Sequence, residues 1–292
     1  MRWCALVACA LAACGGDDGA VGPDAGVDGA AGDGATCSKP ALAQTWAMGL
    51  VSNAVTTLSA APRSTTTQRT TARNFLQTQL TQLGLTPSLQ SYSTGANVTA
   101  RIAATTTTTK RIVVGAHFDT VSGSPGANDN ASGVAAVLAV AHYLQDTPCR
   151  NANVDIVFFD EEEVGLVGAR AYAATLSAAD VVAVHTIDQV GWDADNDHRF
   201  EIELPTTALE AQYKAAAPIV GVPVTVTTTQ GTDHQAFRDV GLPAVGVTEE
   251  YVGGDTTPYR HTAQDTAATV ELDYAVLGAQ LAAQVVMTEV SP

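Results

Sequence analysis

Five side chains able to hold a divalent cation stand at loop-like positions of this chain: His117, Asp129, Glu163, Asp188 and His261. Their neighbours add to the chemistry. His117 opens a His-x-Asp with Asp119, and Glu163 closes an acidic run, Asp160-Glu161-Glu162-Glu163. Asp129 lies between Asn128 and Asn130, after a Gly/Pro-rich stretch at 123–126, and His261 sits within Tyr259-Arg260-His261-Thr262. Imidazole nitrogen combined with carboxylate oxygen suits zinc, and it also accepts cobalt or manganese. Each motif alone is weak, because an acidic run is ordinarily a solvated face and a lone His-x-Asp has many bland uses. Here the acids follow an apolar stretch directly and precede Gly165, and the other positions reinforce them. A metal site is the reading these positions favour.

Segments so far apart converge only on a regular frame, and hydrophobic periodicity predicts one. Residues 41–59 and 67–83 read as helices, the second closed by Gly84. Strands follow at 88–93, 98–103 and 111–116, with the low-complexity run 105–109 as a hairpin loop between the last two. A helix–strand rhythm then sets in: helix 132–144, strand 154–159, helix 166–176, strand 181–187, helix 207–217, strands 222–227 and 244–247, and a closing helix 272–286. Strands alternating with helices predict an α/β fold of three layers, α/β/α, around a mixed, mostly parallel central sheet. The early hairpin strands make it mixed at one edge. In such sheets ligands gather beyond the carboxyl ends of the strands. His117 follows one strand, the acidic run a second and Asp188 a third.

Other polar residues read as structural. His142 lies in an apolar helical stretch, and His185 and His198 carry no supporting pattern. Asp233-His234 is divided between a site-facing role and a helix N-cap by Asp233, and Asp265 reads as the cap of the last helix. Glu249, Glu250 and Tyr251 follow a strand end and are candidates to line a substrate pocket.

The beginning of the chain reads as an address. Residues 1–13 hold Arg2 and an apolar run far below the roughly 20 residues a membrane span needs, as in a signal peptide. Leu11-Ala12-Ala13-Cys14 resembles the bacterial lipoprotein signal, which makes Cys14 the acylated first residue; an ordinary signal with a chance cysteine is the plain alternative. Residues 14–36 then form a flexible Gly/Ala/Asp tether, and 37–292 one domain long enough for a large core. The expected location is the bacterial cell envelope, lipid-anchored at the outer membrane because Gly15 rather than Asp follows Cys14, or secreted. Membrane contact is then expected only through the anchor. Of five cysteines, Cys37 and Cys149 are left as one possible disulfide. The formal net charge is −16, and setting aside Arg2 and the five Asp of the tether leaves −12 for the domain. That charge argues against nucleic acid and suits cationic ligands, including metal ions and peptide amino groups.

Four blocks carry a family resemblance: residues 115–120 (Gly-Ala-His-Phe-Asp-Thr), 125–133 (Pro-Gly-Ala-Asn-Asp-Asn-Ala-Ser-Gly), 162–166 (Glu-Glu-Val-Gly-Leu) and 261–266 (His-Thr-Ala-Gln-Asp-Thr). With Asp188 and Asp233-His234 in the same order, they resemble the dinuclear zinc aminopeptidases of family M28, over about residues 70–290. The resemblance implies two zinc ions, one on His117 and Asp188, the other on Glu163 and His261, with Asp129 bridging. Each ion then has one nitrogen, one terminal carboxylate and one oxygen of the shared carboxylate, leaving a position for water. It further implies Glu162 as general base, Asp119 accepting the second ring N–H of His117, a cis peptide at Asp129–Asn130, and peptides with a free amino terminus as substrates. Two alternatives stay open: glutaminyl cyclisation, performed by a related single-zinc fold, and a non-catalytic binding domain.

Overall fold

The structure, a computed structural model, describes residues 45–145 and 147–291. The leader, the tether, Cys14 and Cys37 lie outside the described residues. Among those described, no helix is long and apolar enough to cross a membrane. Helix α1 (Thr45–Leu58) leads to α2 (Thr66–Gln82), whose start is fixed by Thr65 and Gln68 in a reciprocal capping box. Ala72, Leu76 and Leu80, four residues apart, form its buried stripe. Gly84, at φ +75°, ends it as the sequence predicts, with Leu85 N–H returning to the Leu80 carbonyl.

Eight strands follow: β1 (Ser88–Ser91), β2 (Ala96–Ile102), β3 (Arg111–His117), β4 (Asn153–Phe159), β5 (Val181–Ile187), β6 (Phe200–Glu203), β7 (Val224–Thr227) and β8 (Ala244–Thr248). Between them lie α3 (Gly133–Gln145), α4 (Val167–Ala173), α5 (Thr207–Val220) and α6 (Asp233–Arg238), and α7 (Leu272–Val290) closes the chain. The strands form one sheet in the order β1-β2-β4-β3-β5-β8-β6-β7. Its centre, β4-β3-β5-β8, is parallel. Alternate residues of β3 feed two cores. Ile112 and Val114 pack with α1, α2, α3, α5 and α7, while Val113 packs with α4 and α6 on the opposite face. The fold is therefore the expected three-layer α/β/α.

The expectations need three corrections. Residues 105–109 are not a hairpin loop, because β4 lies between β2 and β3. Central β3 is buried on both faces and takes parallel partners on both sides, so β2 pairs antiparallel with β4 instead. The sequence expectation lacked β6, a buried four-residue strand, Phe-Glu-Ile-Glu, whose two acids disguise it. Antiparallel pairing of β6 with β8 makes the sheet mixed on both sides, not one. The strand expected from 222 starts at Val224, after Pro223, which has no N–H to give a ladder. Cys149 is disulfide-bonded; its expected partner Cys37 lies outside the described residues.

One buried cation pins the loops that leave the sheet. Arg63, 2% exposed, donates from Nε to the Phe118 carbonyl at 2.5 Å, and from its terminal nitrogens to the carbonyls of Leu58, Pro125 and Gly126. It thereby ties the chain after β3 to the turn before Asp129.

Candidate metal centre

The carboxyl end of the parallel strands delivers the acids and histidines to one place. His117 is the last residue of β3, and Asp188 follows β5 directly. The acidic run follows β4 and divides in two. Asp160 is consumed by Arg69 and Arg73 of α2, at 2.8 and 2.6 Å, and Glu161 by Arg69 at 2.9 Å. A tight turn then carries Glu162 and Glu163 the other way, with Gly165 N–H on the Glu162 carbonyl and Gly168 N–H on that of Asp160. The Arg69/Arg73 pair, one helical turn apart, is the signal that half the run is structural.

Asp129 enters from a wide turn, Ala127–Ser132, that precedes α3, and its bond to Asn130 is cis. Side chains hold this turn from all sides. Asp265 accepts the N–H groups of Asn128 at 2.7 Å and Asp129 at 3.0 Å. Asn130 donates to the Ile187 carbonyl and accepts from Gln189 N–H, so it couples the turn to the end of β5 beside Asp188. Asn128 donates to Glu249, which is fully buried. Asp265 therefore does not cap α7; Glu271 occupies that position. Replacing Asp265 with Ala leaves two buried N–H groups unpaired, each costing about 1–3 kcal/mol. We expect Asp265→Ala to lower stability by about 2–4 kcal/mol in urea unfolding and to weaken zinc binding about 10- to 100-fold in a chelator competition.

The five residues singled out in the sequence meet around Asp129. His117 Nε2 lies 3.4 Å from Asp129 Oδ1 and 3.4 Å from Asp188 Oδ1. On the other side, His261 Nε2 lies 3.1 Å from Asp129 Oδ2 and 3.1 Å from Glu163 Oε2. Two triads result, His117/Asp129/Asp188 and Asp129/Glu163/His261, which share one carboxylate. Donor atoms around a tetrahedral zinc at 2.0–2.1 Å are separated by about 3.3 Å, so the spacing fits the ion. Asp129 Oδ2, Glu163 Oε1 and Asp188 Oδ1 are also buried without a hydrogen-bond partner. Buried acceptors are rarely left so, and cations would satisfy them.

The electrostatics agree. Burial pushes the Glu162 carboxyl up to about 10, opposed by His117 and reinforced by Asp233, Asp188 and Glu163. Burial and then Asp129 raise Glu163 to about 7, and burial raises Asp233 to about 8. Asp129 runs the other way: burial would raise it, but its contacts with His117 and His261 hold it below the usual carboxylate range. Such a cluster is short of positive charge, which bound divalent cations supply.

The structure places Asp119 at 3.6 Å from His117 Nδ1, outside hydrogen-bond distance, while its oxygens accept the N–H groups of Glu162 and Glu163 at 2.9 and 3.2 Å. It stands between the histidine and the acidic turn. Glu162 lies with Glu163 and His117 within ligand reach but belongs to neither shared triad. Asp233 is the first residue of α6 rather than its cap, a position held by Thr232, and it faces Glu162 as an electrostatic neighbour. His185 is buried between Tyr213 and Glu289, and His198 pairs with Asp193 at a loop; neither belongs to the two triads. Arg63 went unread in the sequence, because nothing local sets it apart from an ordinary polar residue; Asn130 was read only within the block around Asp129 and Glu249 only as a pocket-lining candidate, whereas both hold the turn.

The sequence profile of peptidase family M28 matches residues 97–286. LpqL of Mycobacterium tuberculosis, a probable lipoprotein aminopeptidase, is 31% identical over 185 residues, 57% of this chain and 37% of that protein. Among solved structures, BSAP, a zinc aminopeptidase from Bacillus subtilis, superposes with a TM-score of 0.64 over 68% of this chain and 50% of its own, at 22% identity. A glutaminyl cyclase from Porphyromonas gingivalis superposes with a TM-score of 0.70 over 85% of this chain and 99% of its own, at 18% identity. These two likenesses are of fold. The chain spans little more than a third of the length of the curated relatives it matches.

Proposed function

This chain belongs to peptidase family M28, and on that premise we propose that it removes residues from the amino end of peptides, using two zinc ions. The carrying observation is Asp129, whose Oδ1 faces His117 and whose Oδ2 faces His261. One carboxylate shared by two His/carboxylate sets is what a two-metal hydrolase needs. His117 and Asp188 would hold one zinc, Glu163 and His261 the other, and Asp129 both. Bound there, the ions supply Lewis acidity that polarises a scissile carbonyl and makes the attacking water more acidic.

The remaining work falls to the chain's own groups. Glu162, half-buried beside both triads, takes the proton from the attacking water at its carboxylate and hands it to the leaving amine. Asp119 positions that base, because it receives the Glu162 and Glu163 N–H groups on separate oxygens. Asp265, Asn130 and Arg63 hold the turn that presents Asp129. The likeness to LpqL, a probable lipoprotein aminopeptidase, supports an aminopeptidase, and that to BSAP, a zinc aminopeptidase, supports zinc. LpqL's description as a lipoprotein also favours export with acylation at Cys14.

Glutaminyl cyclisation is the second reading, favoured by the likeness to the cyclase. Against it stands the complete second set, His117 with Asp188. The zinc-supplemented protein, assayed on aminoacyl amides with free and with acetylated amino groups and on a glutaminyl amide, separates the readings. Cleavage of free amides only is the expected result. Cleavage that ignores acetylation removes the aminopeptidase reading, and loss of ammonia from glutaminyl amide without hydrolysis installs the cyclase.

A further inference from the structure

Beside Asp188 a cavity of about 90 Å³ opens toward the metal centre. It is large enough for an amino-acid side chain, since a single water needs only about 10–15 Å³. Arg260, next to His261 in sequence and 3.4 Å from Asp129, stands on its metal side. Among the described residues, no aliphatic side chain lines this space. Its walls are Thr229, Gln230, Thr232 and Thr248, with half-exposed Tyr251 toward solvent. Binding cavities for apolar groups are lined mainly by hydrophobic side chains, and this one offers them nothing.

Two residues of its lining carry buried acceptors. Gln189, 6% exposed, has its Oε1 buried without a hydrogen-bond partner. Its backbone is held in the left-handed region, φ +49°, with N–H on Asn130 and carbonyl on Glu249 N–H, so the residue cannot drift from the cavity. Glu203, 2% exposed at the end of β6, is engaged through Oε2 alone, by the Thr232 hydroxyl at 2.9 Å with His234 Nδ1 at 3.3 Å. Gly246 on β8 makes room for it, since a Cβ there would come within 2.3 Å of Glu203 Oε2. An unpaired amide oxygen and a carboxylate in a small polar cavity call for a ligand that donates hydrogen bonds.

We propose that this cavity receives the side chain of the substrate's amino-terminal residue and selects one that donates hydrogen bonds, an amide or ammonium side chain rather than an aliphatic one, with Gln189 and Glu203 as the acceptors. The proposal rests on the aminopeptidase reading, because a peptide whose first carbonyl lies at the metal centre has its first side chain beside it. A site built to pair with donors rejects an isostere that lacks them, because the acceptors are then left buried and unpaired.

The test compares donors with apolar counterparts: lysine with norleucine, which ends where the ammonium would begin, and asparagine with its isostere leucine. Hydrolysis of their amides by the zinc-supplemented protein gives kcat/KM, and thermal shift by the free amino acids, with and without added zinc, gives binding independent of turnover. Lysine and asparagine are expected to lead their partners by at least about tenfold in kcat/KM, with the same order in the thermal shifts. Gln189→Met and Glu203→Leu are each expected to shrink that lead, and Thr229→Val at the wall offers a milder change if a buried variant does not fold. Equal or better use of norleucine and leucine by the unaltered protein overturns the proposal. Selective binding without any hydrolysis overturns the aminopeptidase reading and leaves the cavity assignment standing.

Discussion

Glu162→Ala is expected to keep both zinc ions and the native fold while kcat falls by about 10²- to 10⁴-fold, the range for removal of a positioned general base. The expectation follows from where Glu162 stands. It lies within reach of His117 and Glu163, yet both shared triads are complete without it. Its backbone N–H, which supports Asp119, survives the substitution. The side chain is half-buried among carboxyls, so its removal relieves crowding rather than opening a core void. Metal content by atomic emission, a far-UV spectrum and a kcat comparison check this together. An Ala variant with near-normal kcat would oblige us to give the proton-transfer role to another group, with Asp233, the acid outside both triads that bears on Glu162, the next candidate.

Asp129→Ala is expected to do more damage. This residue contributes an oxygen to each triad, so its loss leaves two sets of one histidine and one carboxylate. Two donors do not hold a catalytic zinc against solvent and chelators, since such sites use three protein ligands. Zinc content should fall toward zero, and activity by more than about 10⁴-fold, beyond the loss of the base alone. His261→Ala removes a ligand from one set only, and retention of zinc on His117 and Asp188 is the expected contrast. Equilibrium dialysis against a zinc buffer distinguishes the two. Equal zinc occupancy in Asp129→Ala and the unaltered protein contradicts the bridging role.

The centre was legible in the sequence because its residues follow apolar strands directly. β3, β4 and β5 read as near-continuous runs of Val, Ile, Ala and Phe, as buried parallel strands do, and their ends bring His117, the acidic turn and Asp188 into line. His261 has no such frame. It sits in a loop with its backbone at φ +62°, and only the resemblance to a family connected it with Asp129. The sheet order was not legible at the β2–β3 step, since strand length and turn composition suit a hairpin whether or not a third strand inserts between them. β6 escaped because Glu201 and Glu203 are buried acids in a strand of four. Glu201 is satisfied there by the N–H groups of Val252 and Gly253, partners that only the folded chain provides. Asp265 illustrates the same limit: an Asp seven residues before a helix reads as a cap, whereas its oxygens are taken by a turn more than 130 residues earlier in the chain.

The division of labour within the acidic run shows how sequence and packing share the work. Asp160 and Glu161 anchor α2 through Arg69 and Arg73, so their charges are neutralised where they stand. Glu162 and Glu163 receive no basic partner of that kind among the described residues, and their carboxyls are raised by burial. A run of four acids is therefore two acids held in three ion pairs, followed by two that no arginine of α2 neutralises. Arg63 completes the arrangement from beneath, with four carbonyls from three segments on one guanidinium.

The central claim is that one carboxylate, Asp129, joins two metal positions, and zinc stoichiometry measured beside activity tests it most directly. The metal-stripped protein is titrated with zinc, and bound metal and hydrolysis of an unblocked aminoacyl amide are followed together. Two zinc ions per chain, with activity complete only as the second position fills and abolished by acetylating the substrate's amine, is the predicted result. Saturation at one zinc, or full activity without any, contradicts the account.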